Sequence, residues 1–280
     1  MKQKNQVSKS SCLNCGETVT DAFCQRCGQR VRDNLDRSLG RLLGEFFGNI
    51  FFLDNRFLIS IWFLVRYPGR MTTEFLEGKR KKFISPVTLF LFINLIYFLV
   101  NPLSDYSLAL YDQAYSQPYS SWTINWLEDK LQERGMSFQE YSSIYQNASD
   151  NISKSIMIIN APMIALVLYL ITFRKRKYYF DSLIYSFHFF TLFMLSWVML
   201  DWIGNLFYLL MEDVPEMMEN ITFLLFTFLL PILYAILSIR RFMNLRWYWS
   251  IPAGFAVLLS VLIAQFAYRF IIFVTTLLAT

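Results

Sequence analysis

Five stretches of this 280-residue chain are long and apolar enough to cross a lipid bilayer, and they constrain its fold more than any other feature. Hydrophobic residues make up 55% of the chain and charged residues 17%, which is too apolar for an ordinary soluble domain. The 28 phenylalanines and 16 tyrosines agree, since lipid-facing and interfacial surfaces use aromatic residues freely. The predicted spans are 86–103, 156–173, 182–210, 221–239 and 250–273.

The charge outside these spans alternates in sign along the chain. Residues 1–85 hold 15 Lys/Arg and 8 Asp/Glu, whereas residues 101–155 hold 3 Lys/Arg and 7 Asp/Glu. The loop 174–177 is basic, residues 211–220 carry four acids and no base, and residues 240–246 carry three arginines. Because basic loops stay in the cytoplasm, five crossings put the amino end in the cytoplasm and the carboxyl end outside.

All four cysteines lie near the amino end in two C-x-x-C-G units. Two thiolates on one tight turn can grip a single ion, and two such turns complete the four-sulfur shell of a structural Zn²⁺. The alternatives are two disulfides, which need an oxidising compartment, or a redox pair, which needs only one C-x-x-C. We therefore predict a zinc ribbon over residues 1–32, structural rather than catalytic, whose ligands are Cys12, Cys15, Cys24 and Cys27.

Residues 33–85 are predicted to form amphipathic interfacial helices. Apolar residues recur at helical spacing from Leu39 to Phe51, and the apolar run 57–65 follows. Nine residues rise only about 14 Å, well short of a ~30 Å hydrocarbon core, so we expect residues 38–66 to lie along the cytoplasmic interface. A helical hairpin packed on the bundle, or a re-entrant pair, is the alternative.

A dense basic block closes this amino-terminal region. A chain break at 67–70 and a short helix to Glu77 precede it, and Gly78 is a natural helix cap. Such a run is typical of a topology signal in contact with anionic lipid, and a specific site for an anionic ligand is the alternative. The block consists of Lys79, Arg80, Lys81 and Lys82.

The segment 102–155 is expected outside the cell, with two short amphipathic helices over the outer mouth of the bundle. The first helix ends at Gly135, where a helix-terminating glycine follows its last apolar residue. The second begins at Ser137, which forms a capping box with Glu140.

Ionisable side chains inside the spans are candidate site residues, because charge at membrane depth is costly. Asp201 and Arg269 each lie 19 residues into an outward-running span, so both are expected near the outer leaflet, as a structural ion pair or as a site for proton or ion handling. His188 can make a hydrogen bond in the bundle or titrate near neutrality. Pro162 and Pro231 are expected to kink the second and fourth spans.

Several short motifs, most of them before residue 90, occur here in a recognisable order. They are Cys12-x-x-Cys15-Gly16, Phe23-Cys24-x-x-Cys27-Gly28-Gln29, Pro68-Gly69, Glu77-Gly78-Lys79-Arg80, Phe83, Pro86 and Phe187-His188-Phe189-Phe190. In this order the chain resembles a family of bacterial inner-membrane proteins of unknown function that open with a zinc-ribbon-like knuckle pair. The resemblance covers most of the chain; it implies the same architecture in that membrane, and no activity.

The sequence thus predicts an all-α integral membrane protein of about five transmembrane helices, over residues 86–280, with a small N-terminal zinc ribbon. An enzyme is the weakest expectation, because G-x-S-x-G, Walker A and G-x-G-x-x-G motifs are missing. The leading hypothesis is a membrane-anchored scaffold or sensor that presents the ribbon to a cytoplasmic protein partner. The alternative is a transporter or lipid-handling protein. Membrane lipids are expected partners, nucleic acid is not, and a homo-oligomer is left open.

Overall fold

Helices dominate the computed structural model, which describes residues 10–30, 40, 55–100, 108–172, 178–211 and 213–280. Within these ranges, four helical stretches are long and apolar enough to cross a membrane, and this is the architecture of a membrane protein. Apart from Gly40, the amphipathic helix predicted between Leu39 and Phe51 lies outside the described residues. The four stretches are Phe138–Thr172, Tyr179–Leu210, Glu216–Met243 and Trp247–Ala279.

The described elements are a small antiparallel strand pair and a series of helices. The strands are β1 (Ser10–Ser11) and β2 (Thr18–Val19). The helices before the first long stretch are α1 (Asn55–Arg66), α2 (Arg70–Leu76), α3 (Pro86–Val100), α4 (Leu110–Tyr115) and α5 (Ser120–Arg134). The long stretches contain α6 (Phe138–Ile156), α7 (Asn160–Thr172), α8 (Tyr179–Leu210), α9 (Glu216–Leu224), α10 (Leu230–Met243) and α11 (Trp247–Ala279).

Helix α3 lies where the first span, 86–103, is predicted, and it is shorter than the other four. Its 15 residues rise about 22 Å, which is less than the ~30 Å hydrocarbon core. The ring of Phe90 stacks 5.7 Å from that of Phe190, and Val100 shares a cavity with Leu200. Helix α3 therefore runs parallel to α8 and packs along it. Within the described residues, four helical stretches are long enough to cross a membrane, and α3 is a shorter apolar helix beside them.

The second predicted external helix is not separate from the membrane-crossing helix that follows it. The capping box starts it as predicted, because the Glu140 backbone N–H donates to Ser137 and the Ser137 N–H donates to the Glu140 carboxylate at 2.9 Å. From there, a turn of 3₁₀ helix at Met157–Ile159 joins α6 to α7 without a break. The result is a 35-residue helix, Phe138–Thr172, whose length of about 52 Å exceeds a ~30 Å hydrocarbon core.

A short π-helical segment, Leu225–Leu229, joins α9 to α10. Its position has a local cause in Pro231, because proline lacks the N–H that would bond to the carbonyl of Thr227 four residues earlier. The helix widens at this point instead of ending. The predicted irregularity in the fourth span is therefore a π-helical turn.

The bundle has a basic end and an acidic end. At the acidic end, α4, α5 and α6 surround the carboxyl-terminal part of α11, where the hydroxyls of Tyr141 and Thr280 lie 2.6 Å apart. At the basic end, the Arg241 guanidinium donates to the Pro68 carbonyl at 3.0 Å. The basic end carries Arg66, Arg70, Lys79, Arg80, Lys81, Lys82, Arg240, Arg241 and Arg246. The acidic end carries Asp112, Glu128, Asp129, Glu133, Glu140, Asp213, Glu216 and Glu219.

Helices α1 and α2 form a hairpin that packs on α8 and α10 at the basic end. The Tyr234 hydroxyl donates to the Leu64 carbonyl at 3.0 Å, which ties α10 to α1. Between the two helices, Gly69 adopts a φ of 72°, and a Cβ there would run into the backbone of Ser238. Glycine is required at this turn both for its conformation and for the close approach of α10.

Replacing Gly69 with alanine should lower thermal stability far more than replacing Gly135. Both glycines have positive φ, 72° and 60°, but nothing lies within 4 Å of a Cβ at Gly135. We expect a loss of about 1 kcal/mol for Gly135→Ala from backbone strain alone. For Gly69→Ala we expect about 3 kcal/mol, since the hairpin must also move away from α10.

The measurement is the melting temperature of the detergent-purified protein, followed by the fraction that remains monodisperse. Equal melting temperatures for the two variants would contradict the close packing of the hairpin on α10.

Candidate metal centre and its contact with the bundle

The cysteine segment is built from two copies of one knuckle, twelve residues apart. Gly16 and Gly28 have φ of 77° and 69°, and the N–H of each donates to the carbonyl of the cysteine four residues earlier at 2.8 Å. The strand pairing repeats as well: Ser11 pairs with Thr18, and twelve residues later Phe23 pairs with Arg30. Each C-x-x-C-G unit therefore folds as the same tight turn, as its spacing predicts.

The two knuckles bring all four sulfurs together. These atoms lie within 4.8 Å of one another, with Cys12 Sγ 3.6 Å from Cys27 Sγ and Cys15 Sγ 3.5 Å from Cys24 Sγ. Four thiolates at ~2.3 Å from one tetrahedral ion would lie about 3.8 Å apart, so the observed cluster fits a metal ion. No disulfide joins the four cysteines, whose sulfur separations exceed the ~2.05 Å of an S–S bond.

Backbone hydrogen bonds prepare one of these thiols to be a ligand. The N–H groups of Cys27 and Arg26 lower the pKa of Cys24 to about 7. The N–H of Glu17 also lowers the pKa of Cys15, but burial and the neighbouring thiols outweigh it and raise that pKa to about 12. The neighbouring thiols thus oppose ionisation of Cys15, and a bound cation would compensate the charge of four thiolates.

A hydrogen bond fixes the second knuckle to the helical domain. The Gln29 side chain, which is 4% exposed, donates from Nε2 to the carbonyl of Gly78 at 2.7 Å. Gly78 lies in a Schellman turn after α2, in which its own N–H donates to Phe75 and the N–H of Lys79 donates to Glu74. The Gly78 carbonyl accepts two hydrogen bonds, from the Arg80 N–H at 3.0 Å and from Gln29 of the second knuckle.

Three of the four side chains of the basic block contact residues in the hairpin or just after it. Lys82 lies 3.3 Å from the carboxylate of Glu74 and 4.1 Å from the centre of the Phe63 ring. Lys79 pairs with an acid at 3.2 Å, and the Arg80 guanidinium lies over an aromatic ring of α2. Lys81 is exposed. The block thus holds the hairpin together as well as charging the surface.

Glu74 is the buried acid at the centre of this cluster. It is 6% exposed and accepts a 2.7 Å hydrogen bond from Arg70 Nε in addition to its contact with Lys82. Burial raises the pKa of this carboxyl, but the hydrogen bonds from Arg70 and Lys82 outweigh burial and lower it overall. Because the folded-state pKa is depressed, the stability that this pairing contributes is present near neutral pH and is lost as the pH falls below about 4.5.

His188, a predicted candidate inside the spans, contacts the hairpin rather than a carboxylate. Its Nδ1 lies 2.9 Å from Thr72 Oγ1, and its ring meets Phe75 edge-on. The residue is 2% exposed, and Nε2 has no hydrogen-bond partner among the described residues. The contact with Thr72 holds α2 against α8.

Asp201 and Arg269, the predicted ion pair, line different cavities. Asp201 lies with Gly204, Tyr208 and Glu219 around a cavity of about 400 Å³. Arg269 lines a second, more apolar cavity of about 630 Å³. The structure therefore does not bring the three intramembrane candidates to one site.

Two contacts at the basic end were not predicted. Gln29 follows a knuckle as part of a motif, yet its partner is a backbone carbonyl 49 residues away, which no spacing rule indicates. Thr72 lies in a short helix with no apolar periodicity, so nothing in the sequence predicts its contact with His188.

The fold and the cysteine cluster define a helical membrane protein with an amino-terminal pair of cysteine knuckles that could hold a metal ion. Residues 54–98 match a family described as "Protein of unknown function (DUF3667)". The match covers α1, α2 and most of α3, which are the hairpin and the helix that follows it. No curated protein and no solved structure matches the chain. The similarity supports a family of unknown function and assigns no activity.

The purified full-length protein should bind one metal ion per chain, and each ligand should be needed. Cys24→Ser removes a buried sulfur and should reduce bound metal to less than a tenth, because three thiolates hold an ion far more weakly than four. Ser11→Ala, beside the cluster but without a ligand atom, should leave the metal content unchanged.

Elemental analysis by inductively coupled plasma mass spectrometry gives the stoichiometry. Equal metal in the wild type and in Cys24→Ser, or an intact mass lower by two hydrogens per cysteine pair, would contradict a four-thiolate site.

Proposed function

We propose that this protein is a membrane-anchored scaffold or sensor that presents a zinc knuckle to a protein partner at the basic end of its bundle. The observation that carries the proposal is the Gln29–Gly78 hydrogen bond, because it holds the knuckle at a defined place on the helical domain. A knuckle on a free tether would not need this contact. A fixed one makes a rigid recognition surface at the height of the lipid headgroups.

Zinc is the metal that this donor set favours. Four thiolates around one small tetrahedral site suit Zn²⁺, whereas Mg²⁺ and Ca²⁺ take oxygen ligands. Such a site is closed, since no coordination position remains for water or substrate, and its role is to fold the knuckle. The described segment, residues 10–30, has little apolar surface to bury, so the ion supplies the folding free energy.

The charge pattern supports a cytoplasmic position for the knuckle. A bacterial inner membrane is the location that the family resemblance implies. The basic end carries the hairpin, the basic block and the arginines after α10, and basic segments are retained in the cytoplasm. A reducing compartment keeps four clustered cysteines as thiols available for zinc. The same orientation puts the acidic end, with α4 and α5, outside.

The surface that we propose for the partner includes the apolar residues left exposed on the knuckle. In the described part of the chain, Phe23 is 57% exposed and Leu13 is 42% exposed. A partner that covered both side chains would remove their apolar surface from water. The proposal does not include a transport path, because His188, Asp201 and Arg269 do not surround one cavity.

A photo-crosslinking residue at Leu13 should capture one defined protein in native membranes, because Leu13 lies in the proposed contact surface. The yield should fall at least fivefold in a Cys24→Ser/Cys27→Ser background, in which the knuckle loses its metal. The same crosslinker at Trp249, exposed on α11 at the basic end, controls for contacts with lipid and abundant proteins.

Mass spectrometry of the adducts identifies what was captured. Adducts from Leu13 that match those from Trp249, or that persist unchanged when the knuckle lacks metal, would contradict a partner-binding role.

A further inference from the structure

The cavity at Arg269 lies between α3, α8, the π-helical segment and α11, on the side of the bundle away from the knuckle. Its volume of about 630 Å³ falls within the range of small-molecule sites. Leucine and aromatic side chains form most of its wall, and the lining residues in the described part of the chain include no acid. Arg269 thus faces an apolar space in which no described lining residue is acidic.

Three buried polar atoms in this wall lack hydrogen-bond partners within the described residues: Trp197 Nε1, Thr227 Oγ1 and Arg269 Nε. Two of these are obligate donors, and the third is a hydroxyl that can donate. A buried donor left unpaired costs free energy, so three at one cavity indicate a ligand that accepts hydrogen bonds. Thr227 belongs to the π-helical segment, an irregularity that is frequent at functional sites.

The cavity opens sideways, toward the place that lipid occupies around the bundle. Four residues of its outer wall are about half exposed, and a membrane would cover them with acyl chains. The wall follows α11 from Phe255 to Arg269, a length of about 21 Å. One leaflet of a ~30 Å core is about 15 Å thick, so the wall is long enough for an acyl chain of one leaflet. The half-exposed wall residues are Phe228, Phe255, Leu259 and Leu262.

The three donors lie at different depths. Counted at 1.5 Å per residue from the basic ends of their helices, Thr227 and Trp197 lie about 24 and 27 Å along, and Arg269 lies about 33 Å along. The Arg269 backbone is therefore nearest the acidic end along its helix, and those of Thr227 and Trp197 are farther from it. In a glycerophospholipid the phosphate is likewise outermost, and the ester carbonyls of the acyl chains follow it toward the hydrocarbon.

From this match we propose that the cavity binds one anionic phospholipid from the leaflet at the acidic end. Arg269 binds the phosphate, and Trp197 and Thr227 donate to the ester carbonyls. The acyl chains lie along the leucine and phenylalanine wall of α11. This site goes beyond the proposed function, since it shares no residue with the knuckle.

Native mass spectrometry of the full-length protein tests this site directly. The probes are phosphatidylglycerol and phosphatidylcholine with the same acyl chains, titrated separately into delipidated protein. Both lipids carry the phosphate, but the choline cation of phosphatidylcholine offsets its charge beside Arg269. The wild type should therefore bind one phosphatidylglycerol about tenfold more tightly than phosphatidylcholine, and Arg269→Gln should lose this preference. Arg134→Gln, which removes an exposed charge at the same end, should retain it.

Two further variants test the carbonyl contacts and the wall. Trp197→Phe should weaken both lipids about threefold and keep the preference for phosphatidylglycerol, because both lipids carry the same esters. Leu259→Trp fills the cavity from a half-exposed position that folding tolerates, and it should abolish tight binding of either lipid. Crosslinking from Leu13 should be unaffected in each variant, which separates this proposal from the function of the knuckle.

Three results would overturn the proposal: equal binding of the two lipids by the wild type, an unchanged preference in Arg269→Gln, or unchanged binding in Leu259→Trp. Each variant is first checked for a monodisperse elution profile. If Arg269→Gln fails to fold, the binding measured for Leu259→Trp tests the proposal instead.

Discussion

The structure depends on the free-energy cost of placing charge in hydrocarbon. Four long helices carry few ionisable residues in their apolar windows, and the charged residues collect at the two ends of the bundle. One end is basic and the other acidic, so the distribution of charge also predicts the orientation of the protein across the membrane. The knuckle and the hairpin lie at the basic end, and the proposed lipid site lies toward the acidic end.

The α1–α2 hairpin connects the two parts of the protein at the basic end. Gly69 allows the hairpin turn to lie against α10, and the Thr72–His188 contact ties α2 to α8. After α2, the Gly78 carbonyl accepts a hydrogen bond from the Gln29 side chain of the second knuckle. The match to the family of unknown function, residues 54–98, covers this hairpin and most of α3.

Local features of the fold could be predicted from the sequence, because they depend on residues close together in the chain. The cysteine spacing gives the paired knuckles, and the capping box at Ser137 gives the start of α6. Hydropathy alone could not show that α6 continues into α7, because apolar runs do not mark where a helix begins or stops. Contacts across the bundle depend on helix rotation, which the sequence does not specify. For that reason Asp201 and Arg269, predicted at one depth, lie in separate cavities.

The most direct measurement is the side of the membrane from which each end of the bundle can be labelled. A single added cysteine at Lys81, exposed at the basic end, or at Glu133, exposed at the acidic end, is treated with a membrane-impermeant maleimide in sealed vesicles of known orientation. The unmodified protein supplies the background from the knuckle. The account predicts labelling of Lys81→Cys only from the cytoplasmic face and of Glu133→Cys only from the opposite face. Labelling of both from one face would contradict it.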